Sequence, residues 1–196
     1  MNERLKKDIE FIVELDRMKT ILRQTSLIGE DKREDDAQHS WHIAVMTMVL
    51  SDYSNKEFDV NRAIKMLLIH DLVELYAGDT FCYDAAANLD KRDRELQAAD
   101  RIFGMLGEEK GGFFRSLWDE FEEMETPEAR FAASMDRLQP MLNNYYNGGG
   151  TWRKFGVAQE DVFKRISPLK GTSDQLWQFV EYMLEDAYQR GLITKR

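Results

Sequence analysis

Helical periodicity is the feature that most limits how this chain can fold. Only three prolines, Pro127, Pro140 and Pro168, interrupt 196 residues. Alternation of period two between turn signals is hard to find, so a sheet has little to build on. Leu5, Ile9, Ile12, Val13 and Leu15 open a first helix expected to reach about Arg23. The polar stretch from Gly29 to Asp36 ends in acids suited to an N-cap. A second helix is expected over Ala37–Tyr53, a third over Val60–Tyr76 with Gly78 as its stop, and a fourth over Lys91–Leu106. Residues from Phe113 to Met124 predict a fifth. Thr126-Pro127 opens a sixth that runs to Tyr146, with a kink or step expected at Pro140. Asn147–Gly150 reads as a loop, followed by short helices over Gln159–Ile166 and Ser173–Arg190. No repeat, low-complexity tract or linker divides the chain. The expectation is one all-α domain.

The third helix breaks its own pattern. Ala63, Ile64, Leu67 and Leu68 define its buried face, and the same face continues into His70, Asp71 and Glu74. Side chains three or four apart lie side by side on a helix. Charged groups in a core are costly unless paired or bound to a cation. The plain alternative is a helix end emerging into solvent, which three such residues in succession disfavour. The second helix repeats the signal, with His39 on the face of Ile43, Met46 and Leu50. A lone inward histidine is usually a hydrogen-bonded core residue. Opposite a His-Asp dipeptide it is a candidate metal ligand. His42 reads as a structural neighbour of the site. Two imidazoles and one carboxylate under-coordinate a divalent cation, and periodicity leaves Asp79, Asp84, Asp100 and Asp136 competing for the remaining place.

Composition removes several alternatives. One cysteine forms no internal disulfide and no cysteine-rich zinc site. A formal charge of −9 with no basic block argues against a nucleic-acid polymer as partner. No signal-peptide or membrane-span pattern is legible, so the expected setting is cytoplasmic, with no membrane partner. Lys91, Arg92 and Arg94 are a second possible phosphate contact, but they alternate with acids and read better as a solvated helix face. Gly148-Gly149-Gly150 lacks the Lys and Ser/Thr of a phosphate loop and reads as a structural loop. Trp118, Trp152, Trp177 and the ten methionines read as core or subunit contacts.

Four longer strings carry a resemblance: REDDAQHSWHIAVM, MLLIHDLVELYAGDTF, LWDEFEEMETPEARFAASMDRLQPML and NYYNGGGTWRKFGV. They resemble the HD-domain metal-dependent phosphohydrolases, in a compact bacterial branch close to the 5′-deoxynucleotidase group. The resemblance runs from about Leu15 to Ala187. It implies a single HD-type helical bundle over residues 1–196, with its core at about 15–146 and the C-terminal helices packing back. It implies His39, His70, Asp71 and Asp136 as ligands of one divalent metal, whether Mn, Co, Zn, Fe, Ni or Mg. It carries over Glu74 and Asp79 as acids flanking the substrate and Arg23 as a phosphate-binding residue. Some family members place a tryptophan after that arginine, where this chain has Gln24. A homodimer is implied as well.

The expected chemistry follows from those residues. Glu74, one turn after His70, would orient and deprotonate the attacking water. Asp79 would protonate the leaving oxygen or bind the sugar hydroxyl. Arg23 would clamp the phosphate through its planar fork. The net negative charge favours a small nucleotide substrate over a polyanion. The expected activity is phosphate release from deoxyribonucleoside 5′-monophosphates. The alternatives are HD hydrolysis of an alarmone or cyclic nucleotide, and a non-enzymatic metal-stabilised binding module.

Overall fold

The first helix ends sooner than its apolar stripe suggests. In the computed structural model, which describes residues 2–84 and 86–195, α1 covers Glu3–Leu15, capped by the Asn2 side chain. One 3-10 segment, Asp16–Thr20, follows, and the chain becomes extended at Ile21. Strands β1 (Leu22–Ser26) and β2 (Arg33–Asp35) then form an antiparallel hairpin. Arg23 therefore sits on a strand, not at a helix end. The hairpin has no alternating apolar face to betray it. Polar bonds hold it instead: the Arg33 guanidinium donates to the carbonyls of Arg23 and Leu22. Its tip is tied down by Asn147, whose Oδ1 accepts from Gly29 N at 2.8 Å and whose Nδ2 donates to Leu27 O at 3.0 Å.

Helix α2 (Asp36–Leu50) starts from an Asp35 N-cap. Asp35 Oδ1 accepts from Gln38 N at 2.9 Å, and the Gln38 side chain accepts from Asp35 N at 3.2 Å, closing a capping box. Helix α3 (Val60–Ile69) does not run unbroken to Tyr76. The winding tightens to 3-10 over His70–Val73 and relaxes into a short α4 (Glu74–Ala77) before Gly78 at φ 77°. The tightening coincides with the His70 ring, whose Nδ1 donates to Leu67 O at 2.8 Å. Helices α5 (Lys91–Gly104) and α6 (Glu108–Glu123) follow, α6 starting five residues before Phe113.

Helix α7 (Pro127–Tyr146) is the central element. Thr126 caps it and Pro127 occupies its first turn. It packs against α2, α3 and α6, with Phe131, Met135 and Leu138 buried. It continues through Pro140 as one helix, contrary to the expected step. Asn144 Nδ2 donates to Pro140 O at 2.9 Å within that same stretch. The loop expected over Asn147–Gly150 is a turn over residues 147–149, and its last residue already opens α8 (Gly150–Phe155). Asn144 Oδ1 accepts from both Thr151 N (2.6 Å) and Thr151 Oγ1 (2.8 Å). A Cβ at Gly150 would lie 2.5 Å from that Asn144 oxygen, and Gly150 also has positive φ, so the position demands glycine. Helices α9 (Gln159–Ile166) and α10 (Asp174–Gln189) close the bundle. The architecture is a mostly helical bundle with one two-stranded hairpin.

Candidate metal centre and its cleft

The polar continuation of the α3 stripe is buried. His70, Asp71 and Glu74 are 5%, 7% and 6% exposed, so they do not emerge into solvent. His39, in the first turns of α2, is fully buried opposite them. Asp136 projects from the middle of α7. His39 Nε2 lies 3.1 Å from Asp136 Oδ1 and 3.9 Å from Asp71 Oδ2. His70 Nε2 lies 3.1 Å from Asp71 Oδ1 and 3.6 Å from Asp136 Oδ1. Four side chains from three parts of the chain thus converge on one point.

Their hydrogen bonding shows what that point requires. A carbonyl oxygen can only accept, so His70 Nδ1, bonded to Leu67 O, carries a proton. His39 Nδ1 likewise donates to Gln139 Oε1 at 3.0 Å. Both neutral rings then direct an Nε2 lone pair at carboxylate oxygens, and His70 Nε2 has no hydrogen-bond partner. Lone pairs facing carboxylates repel unless positive charge lies between them. In the metal-free protein His70 supplies that charge. Burial disfavours its charged form, but Asp71 and Asp136 outweigh this and raise it to about 10. Burial, with help from the Arg23 charge, lowers His39 to about 4. Burial would raise Asp136, yet the two imidazoles hold it well below the usual carboxylate range. Two imidazole nitrogens with two carboxylates around an uncompensated centre form a donor set that suits a divalent cation.

A second acidic group adjoins the first. Oxygens of Asp36, Asp71 and Glu74 lie within 4.8 Å of one another. Burial first, and the Asp71 and Asp36 charges next, push Glu74 well above the usual carboxylate range. The same causes, burial and Asp71, raise Asp36 to about 7. Arg23 reaches in from β1 to balance them. Its Nη1 donates to Asp71 Oδ2 at 2.7 Å and to Asp36 Oδ1 at 3.4 Å, and its Nε lies 4.0 Å from Glu34 Oε2. Both groups open onto a cleft of about 1170 Å³, including its solvent-facing mouth. Arg23, Glu74, Asp79, Lys91, Arg137 and Arg165 line it.

An HD-domain sequence profile matches residues 15–177. This chain belongs to the HD-domain family. Within it the chain groups with the metal-dependent phosphohydrolases, distantly related to proteins named 5′-deoxynucleotidase. A Magnetospirillum magnetotacticum crystal structure described as a predicted metal-dependent phosphohydrolase is 43% identical, with TM-score 0.92 over 97% of this chain and 96% of that one. The 5′-deoxynucleotidase HDDC2 of Dictyostelium discoideum is 31% identical over 144 residues, covering 70% of this chain and 75% of the relative. The zebrafish (Danio rerio) protein of that name is 29% identical over 140 residues, 64% of this chain and 68% of the relative.

Several residues of this HD site escape a sequence reading. Gln139 fixes the His39 ring and donates to Glu34 Oε1 at 2.6 Å. It lies one turn after Asp136 on α7, a spacing that could have flagged it. His42 touches Gln139 at 3.3 Å and not the cluster. Asp36 is one turn before His39. The basic run on α5 is more than a solvated face. Arg94 ties down the loop that carries Asp79, donating to Ala77 O (2.6 Å), Thr80 Oγ1 (3.1 Å) and Ala87 O (3.0 Å). Lys91 lines the cleft. Trp118 and Trp152 are core residues, as expected.

Proposed function

We propose that this protein is a metal-dependent phosphomonoesterase that releases phosphate from deoxyribonucleoside 5′-monophosphates. The buried cluster of His39, His70, Asp71 and Asp136, of which His70, Asp71 and Asp136 line the cleft, carries this reading. The names of the relatives support the substrate class. His39, His70, Asp71 and Asp136 would hold the cation. When bound, it supplies Lewis acidity, drawing charge from phosphoryl oxygens and lowering the pKa of water. Glu74 is the proposed base. It is buried beside Asp71, and its Oε2 has no hydrogen-bond partner among the described residues to compete for the proton of the attacking water. Asp79, in the loop that Arg94 organises, would serve the leaving oxygen or the sugar. Arg23 would orient the phosphate while neutralising Asp36 and Asp71.

The test is phosphate release from a panel of deoxy- and ribonucleoside monophosphates with Mn²⁺, Co²⁺, Zn²⁺ and Mg²⁺. Release from deoxynucleotides is expected with at least one metal. No release from any monophosphate overturns the reading. A homodimer belongs to the same proposal. An apolar stripe of Trp41, Val45, Met48 and Val49 on the outer side of α2, exposed by 37% to 66%, offers a surface for it. Sedimentation at micromolar concentration decides between monomer and dimer.

A further inference from the structure

Arg165 on α9 turns its guanidinium towards the cleft. It approaches Asp136 Oδ2 at 3.6 Å, too long for a hydrogen bond. Its side chain is 38% exposed and faces the cleft. Arg137 approaches the same Asp136 oxygen at 3.9 Å, its Nη1 already donating to Ala133 O at 2.7 Å. Two guanidinium groups therefore share a single carboxylate oxygen. The other oxygen of that carboxylate faces His39 and His70. Nearby carboxylates are engaged elsewhere, Glu122 with Arg92 at 3.1 Å and Glu95 with Lys91 at 3.3 Å. Positive charge is in excess on this wall, and it is aimed across the His/Asp cluster. On the opposing carboxylate, Asp71 Oδ2, sits Arg23.

We propose that Arg165, supported by Arg137, is a second phosphate-binding arm, and that the two arms make the site selective for phosphomonoesters over phosphodiesters. This rests on the phosphohydrolase reading of the cleft. A monoester phosphate presents three terminal oxygens. The cluster, Arg23 and Arg165 offer three separate partners for them. A diester has only two such oxygens and places an ester group against one of the arms. Arginine suits the task because its fork binds phosphate oxygens in pairs and stays charged. The arm comes from the C-terminal part of the bundle, whereas Arg23 comes from the N-terminal hairpin. A substrate phosphate would bridge the two.

The experiment measures binding of inorganic phosphate and of dimethyl phosphate to the metal-loaded protein by calorimetry, so it needs no turnover. Arg165→Gln should weaken phosphate binding by about tenfold to a hundredfold, as expected for charge-assisted hydrogen bonds. It should change dimethyl phosphate binding by less than about twofold, and metal content should stay at the wild-type level. Arg165→Lys should recover part of the loss. Unchanged phosphate affinity, equal losses for both ligands, or no phosphate binding by the unsubstituted protein overturns the proposal. A fall in metal content overturns it too, because Arg165 would then serve Asp136 and not the substrate. If deoxynucleotides are not hydrolysed yet phosphate binding still depends on Arg165, the arm stands and the substrate assignment falls.

Discussion

At the residue scale, the protonation of His70 links metal, pH and stability. Its folded pKa is raised to about 10 in the metal-free protein. That stabilisation is fully present below the unfolded value near 6.5 and is lost as pH rises towards 10. His39 works in the other direction, because its folded pKa is depressed to about 4. The unfolded chain gains a proton there as pH falls through 6.5, so stability declines on the acid side. Asp36 and Glu74, whose folded pKa values are raised, oppose that acid-side decline and lose their own contribution as pH rises, so the chelated protein should lose stability progressively from about pH 7 towards 10. Thermal melts across pH in chelator will show this, and His70→Gln should flatten the alkaline limb. Metal binding at pH 7 should expel about one proton, measured by calorimetry in buffers of different ionisation enthalpy. Glu74→Gln should cut turnover by about a hundredfold or more while leaving metal content intact. Unfolding of that variant would show Glu74 to be structural.

At the scale of elements, α-helical segments were legible and the hairpin was not. The stripe through His70, Asp71 and Glu74 stood out because carboxylates replaced apolar residues at positions the period assigns to the core. The sequences LRQTS and RED carry no such contrast, since their strands are held by Arg33 and Asn147 and not by an apolar face. Arg23 was found through resemblance, but on the wrong kind of element. Arg165 was hidden, and Lys91 was read as solvated, because a basic residue on an amphipathic helix normally faces solvent and only tertiary packing turns these two towards the cleft. Gly150 read as loop because the partner of the first turn of α8 is Asn144, whose Oδ1 accepts from Thr151 N seven residues later. The hairpin's dependence on one side chain is testable. Asn147→Ala removes the bonds to Gly29, Ser26 and Leu27. It should cost about 1–3 kcal/mol and raise amide exchange across residues 22–35 more than in α7.

At the scale of the whole molecule, stability and metal occupancy should move together. The candidate ligands come from α2, the 3-10 segment after α3, and α7, so a cation there would cross-link elements that unfold apart. A ligand held only by the folded state, at a hundred times its dissociation constant, adds about 2.7 kcal/mol. For a chain of this size that corresponds to a melting-temperature rise of roughly 5–10 °C. Scanning calorimetry with and without chelator, followed by addition of Mn²⁺, Co²⁺ or Zn²⁺, will measure it. The metal giving the largest rise need not give the fastest turnover, because affinity follows donor type while catalysis needs open coordination positions.

The cluster also sets an order of events during synthesis. His39 and the His70-Asp71 pair leave the ribosome long before Asp136, and Arg165 follows later still. A nascent chain of 130 residues holds both imidazoles but only one of the cluster's two carboxylates. Charge balance at the centre is therefore reached only after α7 has formed and docked against α2 and α3. Capture of a cation at this centre would accordingly be a late step of its biogenesis, and polypeptides that stop short of α7 would compete poorly for divalent ions.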